Sequence, residues 1–439
     1  MSAAPAKNSP RRNDRPVYLV DGARTPFLKA KSGPGPFTPV DLAVQCGRPL
    51  LLRQPFAKEA FDLVILGCVN VIADEMNPAR VAALRLGMGE QMVAFTVQIN
   101  CGSGMQSIDT AYRYIRDGSA DLILAGGAEA LSHAPLVLRN SAVEWYAGMA
   151  RAKGPVAQMQ QLADLKPEFF KPQIGLERGL TDPITDLNMG QTAEVLAYRF
   201  AITREQADAY ALESHKRLAK AQEDGTLEGE VETVFDRDGE FYTKDDGVRP
   251  ESSMEKLAKL DPVFEKPYGK VTPGNSSQIT DGASWLILAS EEAVEEHGLE
   301  PKARIIDSEW SALDPSIMGL GPVLCSTAIT KRQQLSRTDI DLWELNEAFA
   351  AQVLACLAAW KDADFCRELL GLDEAFGEIE HDRLNVDGGA ISLGHPVGTS
   401  GNRIVLHLMN AMRKAGHKRG IATECIGGGQ GGAMLIETV

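Results

Sequence analysis

The sequence predicts an α/β protein made of two similar halves, with a further segment inserted into the first half. Three observations predict this fold. Short β-branched runs alternate with helical stretches from residue 16 to about 135, the same alternation restarts near residue 304, and residues 136–270 lack strand periodicity. Such alternation is typical of a mostly parallel sheet that is covered by helices on both faces. We therefore expect two layered α/β halves and an inserted cap.

Length and composition exclude several classes of protein. The chain has 439 residues, enough for two or three domains with a large core, and its hydrophobic and charged fractions of 44% and 24% are ordinary for a folded protein. No apolar run is long enough to cross a bilayer. The net charge of −15 has the wrong sign for a protein whose main partner is a nucleic acid.

The seven cysteines form no CxxC pair, which indicates reduced thiols rather than disulfides or a zinc site. This use of cysteine predicts a cytoplasmic protein and leaves an organelle matrix open as the alternative.

Changes in sequence character along the chain predict its organisation. Residues 1–15 are polar and contain prolines, so we expect a flexible N-terminal tail rather than a secretory signal. The first half is predicted to comprise residues 16–135 together with 271–303, because strand-like text returns there. Residues 136–270 form the predicted cap, and residues 304–439 the second half.

Individual elements can be placed from local patterns. In the cap, the capping box of Thr203 and Gln206 predicts a strong helix over residues 204–222. The predicted strands are short runs that end in glycine or polar residues, namely VYLVDG, DLVILGCV, VAFTVQI, DLILAGGAEA, SWLILAS, ARIIDSEWSA, DLWEL, ATECI and AMLIE.

Cys101 is the first candidate catalytic residue. It follows VAFTVQIN and precedes a helical segment in which Met105, Ile108 and Tyr112 share one face. We therefore expect Cys101 at the N-terminus of a helix, where backbone N–H groups and the helix dipole would lower its pKa from about 8.5. A nucleophilic thiol and a buried structural cysteine are both compatible with the local sequence.

His395 stands in the glycine-rich segment GGAISLGHPVGTSG, before an amphipathic helix. A histidine held in a rigid loop suits general-base chemistry because its ordinary pKa lies near 6.5. The alternative is a loop histidine that bonds only to backbone carbonyls. The segment contains neither a phosphate-binding P-loop pattern nor a dinucleotide-binding pattern.

Cys425 ends a strand-like run and is followed by IGGGQGG. So many glycines leave backbone N–H groups free to face a bound anion, as an oxyanion hole requires. Asn346 ends another strand-like run and opens a helix. Its side chain is either a structural N-cap or a holder for a catalytic water.

The segments NCGSGMQS, NEAFAAQ, GGAISLGHPVGTSG and CIGGGQGGA, in this order, resemble the motifs of the thiolases, which are acetyl-CoA acetyltransferases and 3-ketoacyl-CoA thiolases. The resemblance extends from residue 16 to 439 and includes DGARTPF, MGQTAE, VTPGNSSQITDGA and MGLGPV. It implies a thiolase-like fold of five layers (αβαβα), with an inserted loop domain that binds CoA and the acyl group.

The resemblance also implies a role for each candidate residue. Cys101 would take the acyl group as a thioester, His395 would deprotonate it, and Cys425 would act as the second acid and base. Asn346, through a water, and the backbone N–H of Gly427 would stabilise oxyanions. Ser277 matches a family serine near the pantetheine arm, although a turn residue is an equally good interpretation.

The implied activity is thiolysis of 3-ketoacyl-CoA by CoA, or the reverse Claisen condensation, in lipid metabolism. Coenzyme A and acyl-CoA are substrates, and no permanently bound cofactor or metal is expected. The implied assembly is a homodimer or tetramer.

Overall length and the charged segment at 361–384 are similar to the β-subunits of trifunctional fatty-acid oxidation complexes, which pair with a hydratase/dehydrogenase subunit. Those β-subunits commonly carry histidine where this chain has Asn346. Two alternatives to thiolysis are a decarboxylating 3-ketoacyl synthase and a non-catalytic acyl-CoA-binding scaffold. Cys425 speaks against the synthase, whose site uses a second His or an Asn instead.

Overall fold

A computed structural model describes residues 15–31 and 33–439. The predicted N-terminal tail therefore lies outside the described residues, except for Arg15. The Arg15 guanidinium forms ion pairs with Asp121 at 2.5 Å and Glu292 at 2.7 Å, so this end of the described chain is held against the first half.

The first part of the chain alternates strands and helices as predicted. The strands are β1 (Val17–Arg24), β2 (Leu28–Lys29), β3 (Leu63–Gly67), β4 (Val93–Val97) and β5 (Leu122–Ala130). The helices are α1 (Pro39–Leu52), α2 (Pro78–Arg85) and α3 (Ser103–Arg116).

The segment at 136–270 is mainly helical, with short two-residue strands. Its strands are β6 (Leu136–Val137), β7 (Gln173–Ile174), β8 (Val234–Phe235) and β9 (Phe241–Tyr242). Its helices are α4 (Asn140–Arg151), α5 (Pro155–Ala163), α6 (Gly175–Gly179), α7 (Met189–Arg199), α8 (Arg204–Glu223) and α9 (Met254–Ala258). The predicted capping box is present, because Thr203 and Gln206 bond to each other's backbone N–H at the start of α8.

The chain then returns to the main sheet and builds the second half. The strands are β10 (Thr280–Ser290), β11 (Ala303–Ala312), β12 (Leu342–Leu345), β13 (Arg419–Ile426) and β14 (Gln430–Thr438). The helices are α10 (Glu291–His297), α11 (Gly321–Arg332), α12 (Ala350–Lys361), α13 (Ala363–Phe365), α14 (Ala390–Leu393) and α15 (Val397–Ala415).

The strand directions correct one sequence prediction. The large sheet runs β12-β13-β14-β11-β1-β10-β5-β3-β4, with β2 paired to β10. Only β3–β4, β3–β5 and β12–β13 are parallel, so the expectation of a mostly parallel sheet is wrong. The reason is that β13 and β14 form a hairpin, while β10 returns after the inserted segment and lies antiparallel between β1 and β5.

Buried clusters show how the layers stack. Trp285 of β10 packs with Leu42 of α1 and Ala82 of α2 on one outer side of the molecule. In the middle, α3 and α15 pack between strands of both halves. On the other outer side, Trp343 of β12 packs with residues of α11 and α12, including Trp360. Among the strands that the structure describes, the two halves of the large sheet are joined only by two residue pairs of β1 and β11, so each half contributes one β layer. These are the five layers α, β, α, β and α that we expected.

Helices of the inserted segment also pack on the second half. Leu196 of α7 lies in the same cluster as Leu345 of β12, and Ala207 of α8 in the same cluster as Ala350 of α12. The division of the chain at residues 135, 270 and 303 stays a prediction. Within residues 15–31 and 33–439, no helix is long and apolar enough to span a membrane.

Candidate active site

One cavity of about 200 Å³ brings together four of the residues singled out from the sequence. Cys101, Ser277, His395 and Cys425 all contribute to its wall. The remaining lining residues are mostly apolar, and none is a lysine, arginine, aspartate or glutamate. Two thiols and one imidazole are therefore the titratable groups that a substrate carbonyl would meet in this cavity.

Cys101 lies in a tight turn between β4 and α3, as the sequence predicts. The Ser103 hydroxyl donates to the carbonyl oxygen of Asn100 over 2.7 Å and accepts the backbone N–H of Ile99 over 2.9 Å. Asn100 has φ of +46°, a left-handed conformation that asparagine tolerates well. This turn holds Cys101 at the cavity; it is the one cysteine in the described part of the chain that is not fully buried.

The acidity of Cys101 differs from the sequence expectation. Burial raises the pKa of its thiol to about 11, and the backbone N–H groups of Gly427 and of Cys101 itself oppose this shift. The charge of Glu424 raises the same pKa further. Burial thus outweighs the helix N-terminus, so Cys101 is a neutral thiol at neutral pH.

Two hydrogen bonds hold His395 in place. Its backbone N–H donates to the carbonyl oxygen of Gln278 over 2.9 Å, and its Nδ1 lies 2.6 Å from the Ser400 hydroxyl oxygen. The Ser400 hydroxyl donates to the carbonyl oxygen of Pro396 over 3.3 Å, so its oxygen is left to accept a proton from His395 Nδ1.

That arrangement selects the tautomer with the proton on Nδ1 and a lone pair on Nε2. The His395 Nε2 atom is buried and bonds to no protein group in the described chain. Burial and the Arg403 charge lower the pKa of His395 to about 4, which keeps the imidazole neutral at neutral pH.

Cys425 is the last but one residue of β13 and is fully buried beside Met318 and Ala348. Burial raises the pKa of its thiol well above the ordinary range, and the proximity of Cys101 raises it further. Its thiolate is therefore a strong base, whose basicity suits proton transfer to and from carbon.

Gly427 begins the glycine turn that joins β13 to β14. Gly428 and Gly429 have φ of +92° and +78°, which side chains rarely adopt. The carbonyl oxygen of Gly427 accepts a hydrogen bond from the Asn100 side chain over 2.8 Å. This bond fixes the glycine turn against the turn that carries Cys101.

Asn346 does not line the cavity but follows β12 beside the strand that carries Cys425. Its backbone N–H donates to the carbonyl oxygen of Thr423 over 2.9 Å. Its side-chain Nδ2 and Oδ1 atoms are buried and have no partner among the described protein groups. A buried amide with no protein partner is the expected holder of a water or a substrate oxygen.

Two further residues position the site and were missed in the sequence. Glu129, at the end of β5, accepts backbone N–H groups of Asn70 at 2.8 Å, Gly398 at 2.9 Å and Val69 at 3.1 Å. It thereby ties the loop after β3 to the first turn of α15, which begins two residues after His395. Ser400 is the other. Only its place five residues after His395, in the first turn of a helix, signals its role.

Two models of known protein families match this chain. The family model described as "Thiolase, N-terminal domain" matches residues 17–292, and the model described as "Thiolase, C-terminal domain" matches residues 299–438. The two matches together cover most of the chain.

Individual relatives are similar over nearly their full lengths. Trifunctional enzyme subunit beta of Bos taurus is 36% identical over 427 residues, covering 97% of this chain and 89% of that protein. Beta-ketoadipyl-CoA thiolase of Pseudomonas aeruginosa is 38% identical over 432 residues, covering 97% and 100%. The crystal structure of human mitochondrial 3-ketoacyl-CoA thiolase in complex with CoA superposes with a TM-score of 0.82 at 36% identity, covering 97% of this chain and 98% of that one.

Proposed function

Since the chain belongs to the thiolase family and is an acyltransferase that uses CoA as a substrate, we propose that Cys101 carries the acyl group as a thioester. The single observation that supports this proposal best is the cavity wall on which Cys101, His395 and Cys425 meet. Their different acidities divide the proton transfers between them.

In the first half-reaction, His395 Nε2 takes the Cys101 proton as the sulfur attacks the C3 carbonyl of a 3-ketoacyl-CoA. The C2–C3 bond then breaks, and the departing acetyl-CoA carbanion takes its proton from Cys425. The products are acetyl-CoA, an acyl-Cys101 thioester, a His395 imidazolium and a Cys425 thiolate. The raised pKa of Cys425 supports this role, because a basic thiolate is suited to exchange protons with carbon.

In the second half-reaction, the Cys425 thiolate takes the proton of free CoA. The CoA sulfur attacks the thioester and releases acyl-CoA, while Cys101 leaves as a thiolate and takes back its proton from His395. Every group returns to its starting state, so the cycle needs no oxidant and no permanently bound cofactor. Condensation follows the same steps in reverse.

Oxyanions form in both half-reactions. We propose that the backbone N–H groups of Gly427 and Cys101 hold the thioester oxygen, because both already favour the charged form of the Cys101 sulfur. Asn346 holds a water that, with His395, stabilises the enolate oxygen of acetyl-CoA; its amide without a protein partner supports this role. Ser277 is proposed to contact the pantetheine arm of CoA, because it lines the same cavity as Cys101.

Acyl transfer to Cys101 can be measured directly. The protein is mixed with a series of acyl-CoA compounds, and intact and peptide masses are recorded. We expect an acyl adduct on the Cys101 peptide that free CoA removes, and no adduct in Cys101→Ala. Cys46→Ala is the matched control, because Cys46 is buried away from the cavity, and it should acylate normally. Absence of an adduct with every chain length would refute the proposal.

The same preparation separates the two alternative functions. A decarboxylating synthase would turn over a malonyl thioester but not acetoacetyl-CoA, and a non-catalytic scaffold would bind acyl-CoA equally well before and after Cys101→Ala without turning it over. Thiolysis of acetoacetyl-CoA that depends on Cys101 excludes both. Cys101, His395 and Cys425, the three groups that the proposed proton transfers require, all line the catalytic cavity, which supports an active enzyme.

We propose that the chain assembles as a homodimer or tetramer. Among the described strands, β4 stands at the end of the large sheet and pairs only with β3, so its outer edge offers free backbone groups to a second copy. Sedimentation or light scattering would measure the state. A hydratase/dehydrogenase subunit stays a prediction, based on the likeness to trifunctional enzyme subunit beta.

The compartment also stays a proposal. All seven cysteines are free, and both proposed catalytic thiols must stay reduced, which supports the cytoplasm or an organelle matrix.

A further inference from the structure

A second cavity, of about 330 Å³, adjoins the catalytic one. The two cavities share a wall of six residues, namely Cys101, Leu131, Leu176, Leu180, Met189 and Val397. Cys101 and five apolar side chains therefore lie at the boundary between the two cavities. A substrate whose reacting carbonyl sits at Cys101 has two arms, and each cavity can take one of them.

The polar groups of the second cavity offer no charge that would attract an anion. None of its lining residues is a lysine, arginine or histidine, and its single charged lining residue is Asp182. The Asp182 carboxylate already accepts the backbone N–H groups of Ile184 and Thr185, each over 2.9 Å. A bound carboxylate would thus meet a negative charge and no cation.

Two amide side chains that line this cavity donate hydrogen bonds to backbone carbonyl oxygens of the protein. Asn70 Nδ2 donates to the carbonyl oxygen of Ala130 over 2.9 Å, and Asn100 Nδ2 donates to that of Gly427 over 2.8 Å. Each of these amides keeps a carbonyl oxygen and one further N–H for a ligand, so they supply neutral polar groups and no positive charge that could pair with a carboxylate.

We propose that this second cavity binds the acyl tail of the substrate and selects neutral aliphatic tails against tails that end in a carboxylate. The inference rests on the proposed function, because it takes Cys101 as the acyl carrier and the cavity with Ser277 as the CoA arm. In a six-carbon 3-keto diacid, the carboxylate lies no more than about 5 Å from the reacting carbonyl. It would then fall among the five shared apolar side chains, where an unpaired charge is strongly disfavoured.

Sequence identity alone does not decide this question. The relative named for beta-ketoadipyl-CoA is 38% identical to this chain, and the relative named trifunctional enzyme subunit beta is 36% identical. The inference therefore depends on the residues that line the second cavity in this chain.

The first test compares two substrates that have the same number of carbons. Thiolysis of 3-ketohexanoyl-CoA and 3-ketoadipyl-CoA is measured, with acetoacetyl-CoA as the reference that has no further tail. We expect kcat/KM to be at least about tenfold higher for 3-ketohexanoyl-CoA. A ratio of the two kcat/KM values below about tenfold would overturn the inference. If acetoacetyl-CoA is still turned over in that case, the proposed function is unaffected. If the unchanged protein does not turn over acetoacetyl-CoA at all, the proposed function itself is refuted.

The second test places a cation in the cavity. Leu180→Lys should lower the preference for 3-ketohexanoyl-CoA at least tenfold, because an ammonium group can pair with the tail carboxylate. Leu180→Met keeps a neutral side chain of similar size and should leave the preference unchanged. Leu162→Lys adds the same charge on the exposed side of α5, away from both cavities, and should also leave it unchanged. An unchanged preference in Leu180→Lys, with acetoacetyl-CoA still turned over, would show that the tail binds elsewhere.

Discussion

Asn100 and Gly427, from opposite halves of the chain, are joined by a hydrogen bond of 2.8 Å from the asparagine Nδ2 to the glycine carbonyl oxygen. This bond fixes the proposed oxyanion-hole turn relative to the turn that carries Cys101. Because acyl transfer depends on sub-ångström placement of the donor groups, the bond should matter more for catalysis than for stability.

Removing the Asn100 amide tests this relationship. Asn100→Gly keeps the left-handed backbone at φ +46° but loses the bond to Gly427. We expect kcat for acetoacetyl-CoA thiolysis to fall roughly tenfold, with a loss of unfolding free energy of only about 1 kcal/mol. Asn100→Ala should lose about 1 kcal/mol more, because alanine is strained in that conformation. Full activity in Asn100→Gly would contradict the positioning role.

Ser400 should set the tautomer of His395. Without the Ser400 oxygen, 2.6 Å from Nδ1, the imidazole proton is no longer held on Nδ1. We expect Ser400→Ala to lower kcat roughly tenfold with little change in KM, because the base loses its preferred protonation site while the substrate surface is intact.

Ser400→Thr is the matched control, since threonine keeps the hydroxyl group at the same position, and it should recover most of kcat. A pure packing role would instead make the alanine variant nearly wild type and the larger threonine variant the impaired one. Steady-state kinetics on both variants, with thermal denaturation alongside, distinguishes these outcomes.

Asn346 and Asn385 offer a comparison between two buried asparagines with different partners. The Asn346 amide has no described protein partner, whereas Asn385 bonds to Leu345, Glu347 and Tyr210 over 2.8 to 3.0 Å. Asn346→Ala should therefore lower kcat at least tenfold and change the free energy of unfolding by less than about 1 kcal/mol.

Asn385→Ala, in contrast, should lower the free energy of unfolding by roughly 2–4 kcal/mol, because several groups that bond to Asn385 are left unpaired. Chemical denaturation and thiolysis rates on both variants provide the measurement. A large loss of stability in Asn346→Ala would show that its amide is a structural cap after all.

These residues also show how far the sequence could predict the molecule. The strand and helix alternation, the α8 capping box and the motifs around Cys101, His395 and Cys425 depend on local patterns, and all were recognisable. Strand direction was not, because β10 reaches its place only after the inserted segment. The prediction of a lowered pKa for Cys101 was wrong for a related reason, because its burial arises from the packing of distant segments. The hydrogen bonds of Glu129 to Gly398 and of Ser400 to His395 could not be predicted from any local sequence pattern.

The acidity of Cys101 predicts how it reacts with iodoacetamide. With a thiol pKa of about 11 and a His395 pKa of about 4, the free enzyme holds a neutral pair rather than a thiolate and an imidazolium. The alkylation rate at Cys101 should therefore rise about tenfold per pH unit from pH 7 to 9, without a plateau. Peptide mass spectrometry over this range measures it, with the buried Cys46 as the slow internal reference. An alkylation rate that stays constant between pH 7 and 9 would indicate that the thiolate is already formed at pH 7, as in a preformed ion pair.

Glu129 should make the stability of the fold depend on pH in a defined window. Burial raises the pKa of its carboxyl to about 7, against a model-peptide value near 4.5, although three backbone N–H groups oppose the shift. Between these values the folded state binds more protons than the unfolded state, so this carboxyl makes stability fall as pH rises from about 4.5 to 7. Glu129→Gln removes the titration, and its stability relative to wild type should therefore increase by roughly 1–3 kcal/mol between pH 4.5 and 7.5. Urea unfolding of both proteins at these two pH values measures the difference. Parallel pH profiles would show that the three N–H groups hold Glu129 ionised throughout, in which case the Gln variant should instead be less stable at both values, because one acceptor oxygen is lost.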